Sequence, residues 1–250
     1  TPPEDVAAHP MDPVLQATAP AAPETIRAWV RDLKADRIAG NATKAFGCLA
    51  RHMEQAEPLL LYFAHKGDDQ QRMFAAGLVQ RYRLSLPSDT PPGGFLRLSW
   101  ELVGNRTRPT MHHRPHDMAV RYLARHASQA APIAYQAGGL IDDDPARRLI
   151  AAWLIATGGS QHPLPDIAGI LIHHLRDNHC MGDAVMSCHG LYHLGPKAIP
   201  YLRAAEPDAD QQAKQLLHLI ESDILASTGS QQELAPQRPR QTITKVYNAP

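Results

Sequence analysis

Residues 190–220 read GLYHLGPKAIPYLRAAEPDADQQAKQLLHLI. The first half places Gly195-Pro196 ahead of a short apolar run, Ala198-Ile199-Pro200-x-Leu202. A proline suits the first turn of a helix, where its missing N–H has no partner to lose. The second half opens at Asp210 and repeats Lys214, Leu217 and Ile220 at helical spacing. An aspartate at a helix start accepts bonds from the first free N–H groups and suits the positive end of the dipole. The stretch therefore reads as two short helices joined by a polar turn.

The same layout recurs outward from it. Proline marks stand at Pro23, Pro58, Pro132, Pro165 and Pro200, with gaps of 35, 74, 33 and 35 residues. The long gap is two periods, and its missing mark falls where Gly93-Gly94-Phe95 opens the apolar run FLRLSWELV. A pattern Asp-x3-Arg/Lys with small or apolar residues following appears four times, from Asp68 (Arg72, Ala75, Leu78), Asp117 (Arg121, Ala124, Ala127), Asp144 (Arg148, Ala151, Leu154) and Asp210. The basic residue is expected to pair back to the aspartate one turn earlier. Two units depart from the pattern: Asn41 is expected as the cap of the first, and Val185 stands at the basic position of the fifth. Hairpins of roughly 35 residues in series imply an all-α chain, an α-solenoid of about six antiparallel helical hairpins.

On these residues, and above all on Leu194-Gly195-Pro196-x-Ala198-Ile199-Pro200-x-Leu202, the chain resembles the HEAT-repeat family, including its bilin-lyase-type branch. The resemblance covers about residues 23–225 and implies a HEAT-like superhelix. It implies little about function, because such folds host unrelated tasks.

The chain has 250 residues, 44% of them apolar, with 25 basic and 25 acidic side chains. Overall neutrality argues against a protein held on nucleic acid by bulk charge. No apolar run is long enough for a membrane-spanning helix. Three cysteines without a CxxC make neither a disulfide framework nor a zinc module. The expected organisation is a Pro/Ala-rich tail over 1–22, the helical-repeat domain over 23–226 and a polar tail over 227–250. A Pro/Ala-rich start of this kind often follows a removed leader, which would place the chain in the periplasm or outside the cell; otherwise it is cytoplasmic.

Two clusters stand out as candidate sites. From Arg81 to His126, eight arginines stand against Asp89, Glu101 and Asp117. The insertion Asn105–Pro115 (NRTRPTMHHRP) lies among them. Arg81, Arg83, Arg97, Trp100, Arg106, Arg108, His112, His113, Arg114, Arg121 and Arg125 form a candidate surface for a partner protein with an acidic face. The bland alternative is a solvated face rich in arginine. In the fifth unit, His189 and His193 share one helix face, and His173 and Cys180 are the nearest candidates to complete a metal site. Trp29 and Trp153 fit core stripes, Cys48 fits a small core position, and Trp100 fits either core or surface.

No nucleophile elbow, HExxH, SxxK or phosphate-binding glycine loop occurs, and no cofactor is expected. The leading expectation is a non-catalytic scaffold that grips a partner protein, as an exported component or a toxin-neutralising partner. One alternative is an enzyme acting on nucleic acid, of the HEAT-like DNA glycosylase type, using the arginines with Trp100 as its stacking aromatic. Another is a metal-binding protein using the fifth-unit histidines.

Overall fold

Two of the breaks between successive helices, at His52 and His126, are single residues. The computed structural model describes residues 20–33, 39–103, 115–159, 163–176 and 181–230. Among them there is helix and turn and no strand. The chain divides into two compact units, Thr1–His162 and Pro163–Pro250.

The first unit contains α1 (Pro23–Asp32), α2 (Ala39–Arg51), α3 (Met53–Lys66), α4 (Asp69–Ser85), α5 (Phe95–Val103), α6 (Pro115–Arg125), α7 (Ala127–Gln136) and α8 (Pro145–Thr157). Consecutive helices pack as pairs: α1 with α2, α3 with α4, α5 with α6, α7 with α8. Alternate helices also touch, α1 on α3 and α5 on α7 in one series, α2 on α4, α4 on α6 and α6 on α8 in the other. The second unit contains α9 (Leu164–Arg176), α10 (Met181–Leu194), α11 (Ile199–Ala205) and α12 (Gln211–Ser230). There α9 packs on α10 and on α11, while α12 packs on α11 and on α10.

Three of the four aspartates expected at helix starts are caps; Asp117 instead lies inside the first turn of α6, which opens at Pro115. The Asp68 carboxylate accepts from Gln71 N at 2.9 Å, and the Asp68 N–H donates to Gln71 Oε1 at 3.4 Å, a reciprocal cap for α4. Asp144 accepts from Ala146 N at 3.0 Å ahead of Pro145, and Asp210 from Ala213 N at 2.7 Å. The expected ladder back to the aspartates is not what Arg72 builds: it reaches Glu101 on α5 at 3.2 Å instead. It thereby ties one pair to the next, where a bond to Asp68 would have stayed local.

Four boundaries differ from the sequence reading. Pro58 and Pro132 do not open helices; they lie inside α3 and α7. Both helices begin earlier, immediately after a lone non-helical residue, His52 (φ −124°, ψ 34°) or His126 (φ −113°, ψ 34°). The two breaks share a sequence, Leu-Ala-Arg-His-x-x-Gln-Ala-x-Pro, at 49–58 and again at 123–132. Asn41 is not a cap, because α2 already starts at Ala39. At the far end α12 continues past 226 to Ser230: the Ser227 and Thr228 hydroxyls both donate to the Ile224 carbonyl, at 2.8 and 2.6 Å, so the helix absorbs its own polar residues. The strand-like piece Thr242–Tyr247 lies outside the described residues.

The core of the first unit centres on α5, where only Arg97 and Glu101 face water. Phe95, Leu98, Trp100, Leu102 and Val103 are buried, as are Tyr122 and Leu123 on α6 and Ala131 on α7, and Phe95 meets the Tyr122 ring edge-on with centroids 5.5 Å apart. Small residues let α7 and α8 meet closely. A Cβ on Gly158 would stand 2.6 Å from the Ala127 carbonyl oxygen. One on Gly139 would stand 2.7 Å from the Ala151 Cβ and 2.8 Å from the Trp100 ring. Neither position has room for a side chain.

Candidate functional site

Between α4 and α5 the chain runs without helix through LPSDTPPGG, and one carboxylate in it is fully enclosed: the Asp89 side chain has no exposed surface. Burying a carboxylate is costly unless it is paired and hydrogen-bonded. Asp89 accepts from Arg83 Nη1 at 2.5 Å, from the Tyr122 hydroxyl at 2.9 Å and, on the same oxygen, faces His126 Nε2 at 3.2 Å. Arg83 in turn pairs with Glu57 of α3 at 2.7 Å and donates to the Thr90 carbonyl at 3.2 Å. Burial alone would raise the Asp89 pKa. The hydrogen bond from Arg83 leads the opposing effects, followed by that from Tyr122, and together they hold the carboxyl below its ordinary range. The same contact raises Arg83 against its own burial, and Tyr122 is raised by burial first and by Asp89 second. On α4, Tyr82 is raised by burial, then by Glu54 and Glu57. The cluster is a latch that joins α3, α4, α6 and the α4–α5 connection. Its carboxylate is closed to solvent.

This geometry redistributes the candidate basic surface. Arg83 is neutralised inside the latch. Arg125, at the end of α6, donates to the carbonyls of Arg83 (3.0 Å), Leu84 (2.9 Å) and Leu86 (2.6 Å), closing the C-terminal end of α4. His116 caps α5 in the same way: its Nδ1 lies 2.7 Å from the Val103 carbonyl oxygen, so that nitrogen carries the proton and donates. Trp100 is 2% exposed, with the Arg147 guanidinium 4.9 Å above its ring. It is a core residue and not part of an exposed basic surface, contrary to the expectation from sequence. Of the remaining candidates, Arg97 on α5 and Arg121 on α6 are exposed, and Arg81 on α4 is half-buried. Arg106, Arg108, His112, His113 and Arg114 lie outside the described residues.

The other tryptophans depart from expectation the opposite way. Trp29 and Trp153 are only half-buried, and Trp29 stacks on His52 with ring centroids 5.4 Å apart. Cys48 is half-buried too, with Arg51 Nη2 at 3.7 Å from its sulfur.

On the α1–α3 side of the first unit lies an open groove of about 500 Å³. Its walls are Ala21, Pro23 and Ile26 from the start of the unit, and Pro58, Leu59 and Tyr62 from α3, with Arg27 and Gln55 as its polar members. The Ala21 amide donates to Gln55 Oε1 at 3.1 Å, fixing one end. Tyr62 is 59% exposed, an aromatic face presented to water. The sequence signal for this site is modest: Pro58 and Tyr62 share a face of α3 one turn apart.

In the second unit, His189 and His193 of α10 are brought together, their ring centroids 4.6 Å apart. The His189 pKa is lowered, by partial burial first and by His193 second. His173 is exposed on α9 beside His174, and Cys180 lies outside the described residues. Cys188 faces the core, and burial pushes its thiol up to about 11. Among the described residues no group of three or more His, Cys, Asp or Glu is placed to hold a metal ion. No helix among them is long and apolar enough to cross a membrane.

Compared with known proteins, the chain matches no family model and no curated protein. Its function is read from its own geometry.

Proposed function

We propose that this chain is a non-catalytic helical-repeat scaffold, of HEAT-like superhelical build with about six hairpins, that grips a partner protein. The observation that carries the reading is the packing in the first unit, where consecutive helices pair and alternate helices touch in two series. Repeats that contact only their neighbours bury their apolar stripes and leave an extended surface for binding. The polar groups of the unit support the same reading, since Asp89, Arg83, Tyr122, His126, Arg125 and His116 all serve helix ends or the latch. The described surface includes the Pro23–Ile26–Pro58–Leu59–Tyr62 groove with Arg27 exposed at its side, and Arg97 and Arg121 elsewhere. These fit a protein partner that offers an apolar segment flanked by acidic residues. An exported setting, such as an envelope component or a toxin-neutralising partner, belongs to this proposal.

The test is affinity capture from the native source, followed by titration of the purified partner. Tyr62→Ala with Arg27→Glu is expected to weaken binding at least tenfold, and Arg97→Glu with Arg121→Glu to slow association and reduce its salt dependence. Unchanged affinity and rates in both variants would overturn the reading.

A further inference from the structure

We propose that His189 and His193 on α10 form an exchangeable two-imidazole site for a divalent first-row metal ion, copper(II) foremost. This goes beyond partner binding and involves the other unit of the chain. Residues four apart stand one turn above another on a helix, so both rings project from the same face. Here they meet, with centroids 4.6 Å apart and planes inclined at 57°. Both side chains are exposed, which leaves an entry path and room for water in the remaining coordination positions. The donor set is all imidazole. The nearest sulfur on the helix, Cys188, is turned into the core. A closed structural zinc centre takes four protein ligands, and two imidazoles without a third described ligand make an open site instead. Imidazole suits copper, nickel and zinc, and among divalent ions copper(II) binds such nitrogen pairs most tightly.

The experiment is a titration of the full chain with copper(II) sulfate, followed by electron paramagnetic resonance and by thermal unfolding. One equivalent is expected to bind ahead of the background from the other imidazoles, with nitrogen splittings in its spectrum and a raised Tm. His189→Gln or His193→Gln alone should weaken that first equivalent about tenfold or more, the scale on which metal sites respond to damaged ligation. The double variant should retain only background binding. His173→Gln with His174→Gln, on α9, should leave the first equivalent unchanged. A first equivalent that survives in the double variant, or that is lost equally in the His173/His174 variant, would show adventitious binding and overturn the proposal. Circular dichroism of each apo variant, expected to match the parent, separates loss of a ligand from loss of the helix.

Discussion

The ten-residue motif at 49–58 and its copy at 123–132 have the same backbone break and opposite fates. In the second copy, His126 is 9% exposed and faces Asp89, while Arg125 closes the end of α4. In the first copy, His52 is half-exposed and stacks on Trp29, Arg51 is exposed beside the Cys48 sulfur, and Gln55 and Pro58 line the groove. The local sequence sets the break; what lies over it decides the use. The second copy has the end of α4 against its arginine and the α4–α5 connection against its histidine, which becomes part of the interior. The first has Trp29 of α1 over its histidine and an open groove beside Gln55 and Pro58, and becomes part of a surface. One motif thus serves as a fastening in one place and as a wall of the candidate binding site in the other.

Several changes would break or sharpen that contrast. The largest effect is expected at Asp89→Ala, which leaves Arg83, Tyr122 and His126 facing an empty space. Removing one partner of a buried ionic cluster costs about 3 kcal/mol, readable by urea denaturation, whereas Gln55→Ala in the open copy should cost about 0.5 kcal/mol. The pH dependence carries the same signature. The Asp89 pKa is lowered in the folded state, so its stabilisation is full above the ordinary carboxylate pKa near 3.8. It is lost as pH falls below that value towards the depressed folded pKa. The Asp89→Ala chain should therefore show a shallower loss of stability on acidification over that range.

Next comes the paired substitution of the histidines. His126→Ala should cost about 2 kcal/mol by stripping a buried carboxylate of a partner, and His52→Ala about 0.5 kcal/mol for a lost stack. Arg125→Ala, which frees three carbonyls at the end of α4, should cost about 1.5 kcal/mol, against less than about 0.5 kcal/mol for Arg51→Ala. Smallest in stability is Tyr62→Ala, expected within about 0.5 kcal/mol of the parent. If the two copies responded alike, the distinction between fastening and surface would fail.

Local signals in the sequence carried most of the helix starts. Pro23, Asp68, Asp144 and Asp210 stand at helix openings, and Gly94, at φ +75°, precedes α5 where the run FLRLSWELV begins. These devices act over a few residues, so a pattern can display them. The latch was not legible, because the partners of Asp89 lie 6, 33 and 37 residues away and the residue itself sits in a stretch that reads as plain loop. Trp100 was ambiguous for a related reason: its burial is imposed by the helices around α5 and leaves little mark on α5 itself. The copy of Leu-Ala-Arg-His-x-x-Gln-Ala-x-Pro was available as a self-match at a spacing of 74 residues. It shows where the helices break, though not which break becomes interior.

The tethering of Asp89 has a consequence for how the chain meets proteases. The stretch between Ser85 and Phe95 has no helix and joins two helical pairs, and connections of this kind with small, polar residues are ordinarily preferred cleavage points. Its carboxylate is bound from three directions, and Arg83 also holds the Thr90 carbonyl. An endopeptidase needs several residues drawn out into its cleft, and here that extension requires the whole cluster to come apart first. Under limited digestion this segment should stay intact for as long as the helices on either side remain folded.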